Sequence, residues 1–173
     1  IKNTVAEFET KALQFNSSIQ ENYEFSNFTN FSFSLNEKEY QHKYLIENLE
    51  IRAGREAHKK DNITISSKEK PEETLFGDHE AIEKVVIRIL SYLEKKIPGS
   101  SITVLSSVNR ETFGNTLNFK FLVEDCSLTQ NDIEKIRNMS GRNSHQRNTV
   151  EPDELKLLAA YNLLWLMNGT IKT

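Results

Sequence analysis

The sequence has one cysteine, three prolines and one tryptophan in 173 residues. A single thiol, Cys126, excludes an internal disulfide and a multi-cysteine metal cluster, and it fits a reducing compartment. The expected location is therefore the cytoplasm, either as a free protein or as the soluble part of a membrane-anchored one. No stretch approaches the ~20 apolar residues that a membrane-spanning helix needs. A basic excess is missing too: 22 Lys and Arg against 25 Asp and Glu give a formal charge of -3, so there is no electrostatic footprint for nucleic acid. The chain opens at Ile1 rather than at a methionine, from which we expect a piece of a longer protein.

What is present is a series of periodic segments. Val5, Phe8, Ala12, Phe15 and Ile19 recur at three- and four-residue steps, the stripe of an amphipathic helix. NYEFSNFTNFSFSL follows with many Phe and Asn but no helical period, and reads as a connector whose aromatics tuck under a neighbour. From Asn36 to about Lys60, Tyr40, Tyr44, Leu45, Leu49 and Ala53 share one side of a second helix. NITIS reads as a strand. In LFGDHEAIEKVVIRILSYLEKK the residues Ile82, Val85, Val86, Ile89, Leu90 and Leu93 follow the helical rule throughout, until Pro98-Gly99 stops it. SITVLSS and TLNFKFLVED, with Leu117, Phe119, Phe121 and Val123 alternating, form an antiparallel hairpin. The polar tract RNMSGRNSHQRNTVEP, Arg137 to Pro152, is short of apolar residues and reads as a mobile loop. A last helix places Leu155, Leu158, Ala159, Leu163 and Leu166 on one face and ends at Asn168-Gly169, before a strand-like TIKT. The expected class is α+β, a two-layer sandwich with helices on one face of a mixed sheet and a helix in front of it.

One junction bears on function. FLVEDCSLTQNDIEKI runs from a strand into a polar helix through Asp125, and an acid at a strand's end before a turn is where many nucleotide sites read a base. Glycines are missing just there. Ser127 and Thr129 carry side chains where a phosphate- or base-binding turn wants none. An Asp in this position is also a common turn former that caps the next segment.

Taken in order, FSLNEKEYQHKYLIENLEIRAGREAHKKDNITIS as an opening strand, helix and second strand, FGDHEAIEKVVIRILSYLEKK as a Gly-Asp-led helix, the hairpin ending FLVED, and LLAAYNLLWLMNGTIKT as a closing helix and strand resemble the ATP-binding catalytic domain of sensor histidine kinases, the GHKL or Bergerat fold. The similarity covers residues 32 to 173. On it, residues 1 to 31 correspond to the end of a dimerisation helix and its linker. The resemblance implies two Asn one turn apart in the helix after Gly77-Asp78, the second holding magnesium. Arg88 and Tyr92 stand there instead, and neither offers an amide oxygen to a hard cation. It also implies an Asp-x-Gly-x-Gly box, matched by Asp125-Cys126-Ser127-Leu128-Thr129 with the adenine-reading acid kept and both glycines lost. The glycine-rich phosphate lid is matched by Glu154-Leu155-Lys156, which opposes an anion sterically and by charge.

These departures imply a vestigial site, with Asp125, Arg88 and Tyr92 as its degenerate members. No metal ligands, catalytic residues or resident cofactor are expected. The resulting expectation is a non-catalytic, pseudokinase-like docking or regulatory module in a phosphorelay protein, similar to the silent domain of an Rcs-type phosphotransfer intermediate. Its partners would be a response-regulator or phosphotransfer domain, with homodimerisation through the N-terminal helix. The alternative is an atypical kinase domain that binds ATP through Asp125 with Lys95 or Lys156 on the phosphates, and a third reading is an unrelated α+β binding domain. Arg88, on the same helix as Glu80, Glu83 and Glu94, reads more readily as a solvated ion-pair member than as a phosphate ligand. The histidines are expected at the surface. Cys126, beside Glu124 and Asp125, is a poor nucleophile because its acidic neighbours disfavour the thiolate. Trp165 lies off the main apolar stripe and suits either core or an interface.

Overall fold

A computed structural model describes residues 19, 34–56, 62–70, 72–112, 114–124, 129–138 and 152–172. The N-terminal helix and linker expected at 1–31, apart from position 19, lie outside the described residues, as do residues 139–151 of the loop expected at 137–152; its ends are helical instead, Arg137 and Asn138 closing one helix and Pro152 opening another.

The described chain runs β1 (Lys38–Gln41), α1 (His42–Glu56), β2 (Ile63–Ser67), β3 (Thr74–Gly77), α2 (His79–Lys96), β4 (Ile102–Glu111), β5 (Gly114–Val123), α3 (Gln130–Asn138) and α4 (Pro152–Leu166). Strands β2, β4 and β5 form a mixed sheet in that order, parallel between β2 and β4 and antiparallel between β4 and β5. A separate antiparallel pair joins β1 to β3. The α+β class and the mixed sheet are as the sequence predicts.

The core follows from the periodicities. Leu45, Ile46, Leu49 and Ala53 of α1 and Val86, Ile87, Leu90 and Leu93 of α2 meet Ile65, Ile102 and Val104 of the sheet. Burying a side chain such as Leu49 or Val104 completely contributes about 1.5–3 kcal/mol each. The hairpin's Leu117, Phe119, Phe121 and Val123 pack on the same cluster. Helix α2 is covered on a second side as well, where Ala81 and Val85 meet Ala160 and Leu163 of α4. It starts at a formed cap: the Asp78 carboxylate accepts from the Ala81 N–H at 2.9 Å and from the Asn36 N–H at 2.8 Å, satisfying a first-turn amide and tying down the incoming chain.

Four expectations change. Residues 38–41 are not the helix that the periodicity from Asn36 predicts but the opening strand that the resemblance implies, because their backbone pairs with β3; α1 begins only at His42. Tyr44 is 59% exposed instead of lying with Leu45 and Leu49. Thr74–Gly77 is a strand ahead of α2, not part of its approach. Thr170–Lys172 has no strand assignment, although Ile171 still packs against the cluster formed by α2 and α4. The C-cap is as expected: Asn168 takes φ 56°, and the Gly169 N–H donates to the Leu164 carbonyl at 2.8 Å.

Candidate functional site

Tyr92 lies on the side of α2 that faces α4. Its ring is 1% exposed and belongs to one cluster with Leu157, Leu158 and Tyr161, against which Ile89, Ile136 and Ile171 also pack. The Lys96 ammonium stands 5.7 Å from the ring centroid, within the range of a cation–π contact. The Tyr161 hydroxyl donates to the Ile136 carbonyl, which fastens α3 to α4; burial raises its pKa to about 12, so it keeps that proton. Position 92 is thus a packed junction of α2, α3 and α4.

Arg88, one turn earlier, is half-buried, which corrects the expectation of a solvated side chain. Glu154 lies in the first turn of α4 and is buried at 4% exposure. The next residues, Leu155 and Lys156, are half-buried in the same regular helix, while Lys95 is exposed. At the other box, Asp125 to Leu128 lie outside the described residues. Thr129 is described and begins a helix. Its hydroxyl accepts from the Asp132 N–H at 3.2 Å, and the Asp132 carboxylate accepts from the Thr129 N–H at 3.0 Å and from its hydroxyl at 2.6 Å. This is a reciprocal cap, in which the side chain standing for a lost glycine fixes the start of α3.

The structure therefore brings Tyr92 together with the helix that carries Glu154-Leu155-Lys156. These residues do not fit the magnesium-bridged nucleotide that the resemblance implies. The position for a metal-holding amide carries a phenol closed in by Leu157 and Leu158, and the position for bare lid amides is a helical turn with a buried glutamate. Among the described residues no three His, Cys, Asp or Glu side chains are grouped to hold a metal ion. A groove of about 470 Å³ opens elsewhere, between β1 and α1, with Lys38, Tyr40, Tyr44, Asn48 and His79 in its wall.

Two polar clusters escape sequence reasoning. His42 is 1% exposed, against the expectation that the histidines lie at the surface. Its Nε2 is 2.8 Å from the Ser106 hydroxyl and its Nδ1 is 3.3 Å from the Ser67 hydroxyl, two serines that are register partners across β2 and β4. Burial lowers the His42 pKa, while Glu69 and Glu73 pull it upward. Those carboxylates receive Arg110 at 3.1 and 2.8 Å. Glu69 also accepts from the Val108 N–H at 2.9 Å, the main reason its carboxyl is held below its usual value. The second cluster centres on buried Glu83, which accepts from Asn48 at 3.1 Å and from Arg52 at 3.2 Å, with His79 Nδ1 at 3.4 Å. It joins α1 to α2. A signal existed for the first: His42 sits three and seven residues before Leu45 and Leu49, and Ser106 falls on the inward alternation of Ile102, Val104 and Val108.

A mixed sheet with α1 and α2 on one face, a Gly-Asp-led central helix and a closing helix define a fold of the histidine-kinase ATPase type. The particular comparison is with the solved structure of the Acinetobacter baumannii histidine kinase AdeS, at TM-score 0.62 and 16% identity, covering 96% of this chain and 75% of that one. No protein-family model and no curated protein sequence matches the chain. At that identity the likeness is one of fold. No helix among the described residues is long and apolar enough to cross a membrane.

Proposed function

We propose that the chain is a non-catalytic, kinase-like module that serves docking or regulation inside a phosphorelay protein. The observation that carries this reading is the complete burial of Tyr92 against Leu157, Leu158 and Tyr161. In this fold type the same stretch of helix would have to face an open nucleotide pocket. Opening one here would mean pulling a ring out of an apolar junction at a cost of several kcal/mol, before any gain from phosphate contacts. Two further features support it independently: the buried Glu154 at the lid position, and the reciprocal cap that commits Thr129 to starting α3. On this reading the partners are a response-regulator or phosphotransfer domain, with self-association through the N-terminal helix, and the domain works by shape instead of by phosphoryl transfer.

The test is a thermal-shift or calorimetric titration with ATP and ADP, with and without magnesium. The expected result is no saturable binding. Binding near 100 μM or tighter would overturn the reading in favour of an atypical ATP-binding kinase domain, since 1 mM ligand would then stabilise the fold by about 1.4 kcal/mol.

A further inference from the structure

Strands β1 and β3 form a ribbon with little apolar anchorage: among their residues only Leu75 is buried, and Tyr40 is half-buried. Polar groups fasten its two ends. At the far end, where Lys38 pairs with Gly77, the Asp78 carboxylate just after β3 accepts from the N–H of Asn36 just before β1. At the near end, where Gln41 pairs with Thr74, stands His42, the first residue of α1. Its N–H donates to the Glu73 carbonyl at 2.8 Å, while its ring bridges Ser106 of β4 and Ser67 of β2. One residue thus joins the ribbon, the first turn of α1 and the three-stranded sheet.

Donor and acceptor counting fixes what this joint can hold. The Ser67 oxygen already accepts the Glu69 N–H at 2.9 Å, so the Ser67 hydroxyl proton is the one offered to Nδ1, and the Nε2–H is left to donate to Ser106. A neutral imidazole completes this set. A protonated one does not, because Nδ1 becomes a donor facing the Ser67 proton. Little compensates a charge here. The side chain is 1% exposed, the N-terminal end of a helix opposes a cation, and the first turn of α1 carries no acid. Glu69 and Glu73, between β2 and β3, favour the charge, but both are engaged by Arg110 of β4. On His42's own helix, Lys43 pairs with Glu47; Lys38 and Glu39 of β1, and Lys68, Lys70 and Glu72 between β2 and β3, are exposed.

We propose that His42 is an acid-operated latch: protonation of its ring frees Glu73 and the near end of the β1–β3 ribbon from β2 and β4, while the side of the domain built from α2 and α4 stays folded. The far end remains tied through Asp78 and Asn36, so the ribbon loosens without detaching. Its strand β1 and the helix α1 are the two walls of the groove of about 470 Å³ that contains Lys38, Tyr40, Tyr44 and Asn48. Release of the latch therefore changes the shape of that groove. The device is independent of whether the domain binds nucleotide.

Native-state hydrogen exchange of the full chain, read residue by residue between about pH 7 and about pH 5, tests this. The His42 amide and the β1–β3 ladder should exchange through a smaller opening than the one that releases α2. Their protection should fall by about tenfold per pH unit below pH 6.5, the slope of one proton taken up on opening. His42→Gln should flatten that slope. His79→Gln, which alters the ring beside Tyr40 of the same ribbon, should keep it. Ribbon amides that exchange only together with those of α2 overturn the proposal, as does a flat profile in the unaltered chain or a slope that survives in His42→Gln. A second measurement serves if His42→Gln does not fold. Glu73→Gln removes a carboxylate that favours the proton, so the NMR titration midpoint of the His42 ring should move to lower pH. A midpoint that stays or rises would be equally fatal.

Discussion

A buried tyrosine ring stabilises a protein through the apolar area it takes from water and loses that contribution when truncated, because the cavity left behind collapses only in part. Tyr92, enclosed by α2 and α4, is such a ring. Tyr92→Ala should cost about 3–5 kcal/mol in urea or guanidinium unfolding. A cost below about 1 kcal/mol would mean that the site is soft enough to open, and would undermine the closed-pocket reading. His42 makes a prediction with a sign. Burial sets its pKa below the ordinary 6.5 despite Glu69 and Glu73, so the unfolded chain takes up this proton at higher pH than the folded one. Its stabilising contribution is complete above about pH 6.5 and is lost as pH falls through the lowered folded value. Stability should decline across that window in the native protein and decline less in His42→Gln, measured as unfolding midpoints against pH. The Glu69 carboxyl, held below its usual 4.5 first by the Val108 N–H and then by Arg110, responds only at more acid pH, so the two effects separate. Identical slopes for the two proteins would remove His42 from the account.

At the scale of elements, helix α4 ends in a way that tests backbone and side-chain effects separately. Asn168 adopts φ 56°, a region that glycine enters freely and most other residues enter only at a cost of about 1–2 kcal/mol. Asn168→Gly should change stability by no more than a few tenths of a kcal/mol, whereas Asn168→Val should cost about 1–2 kcal/mol. Gly169 is constrained differently, since a Cβ there would run into the Leu164 side chain and approach its carbonyl at 3.2 Å. Gly169→Ala should therefore destabilise as well, by displacing the Leu164 side chain from the cluster of Ala81, Val85, Ala160 and Leu163. Melting temperatures of the three variants check the order. This cap was legible in the sequence because Asn-Gly after an apolar run has a local cause. So were α2, whose apolar spacing is unbroken, and the β4–β5 hairpin, whose alternation is regular. What could not be read had a non-local cause. Residues 38–41 are a strand because β3 pairs with them, and Tyr44 is exposed because the buried stripe of α1 runs through His42, Leu45, Ile46, Leu49 and Ala53 and leaves position 44 outside it. Tyr92 was legible as a departure from an expected Asn, while its role as the centre of a packed junction depends on α3 and α4 arriving from forty to seventy residues away. The Glu83 cluster gave no signal at all, since a glutamate on a charged helix reads as solvated until Asn48 and Arg52 are seen to reach it.

At the scale of the molecule, the described core divides into three clusters: one between the sheet, α1 and α2, and two between α2 and α4. A fold built this way can unfold as one unit or shed α4 first, and the packing decides between them. Ile89 of α2 packs against all three clusters, and Tyr161 ties α3 to α4 through the Ile136 carbonyl. The layers thus share a helix whose sides are occupied at once, so detaching α4 would strip Tyr92, Val85 and Ala81 of cover while α2 remained in place. Exposing that much apolar surface at roughly 25 cal/mol per Å² is too costly for α4 to leave independently. We therefore expect unfolding followed by Trp165 emission, which senses α4, to coincide with unfolding followed by far-UV circular dichroism, which senses all helices and strands. Ile89→Ala should lower both transitions together by about 2–5 kcal/mol, since it creates a cavity at the shared point. If the tryptophan transition came first, and Ile89→Ala widened the gap, α4 would be a separately melting layer. The closed Tyr92 junction would then open without global unfolding, and a nucleotide-free resting state could no longer be inferred from its burial.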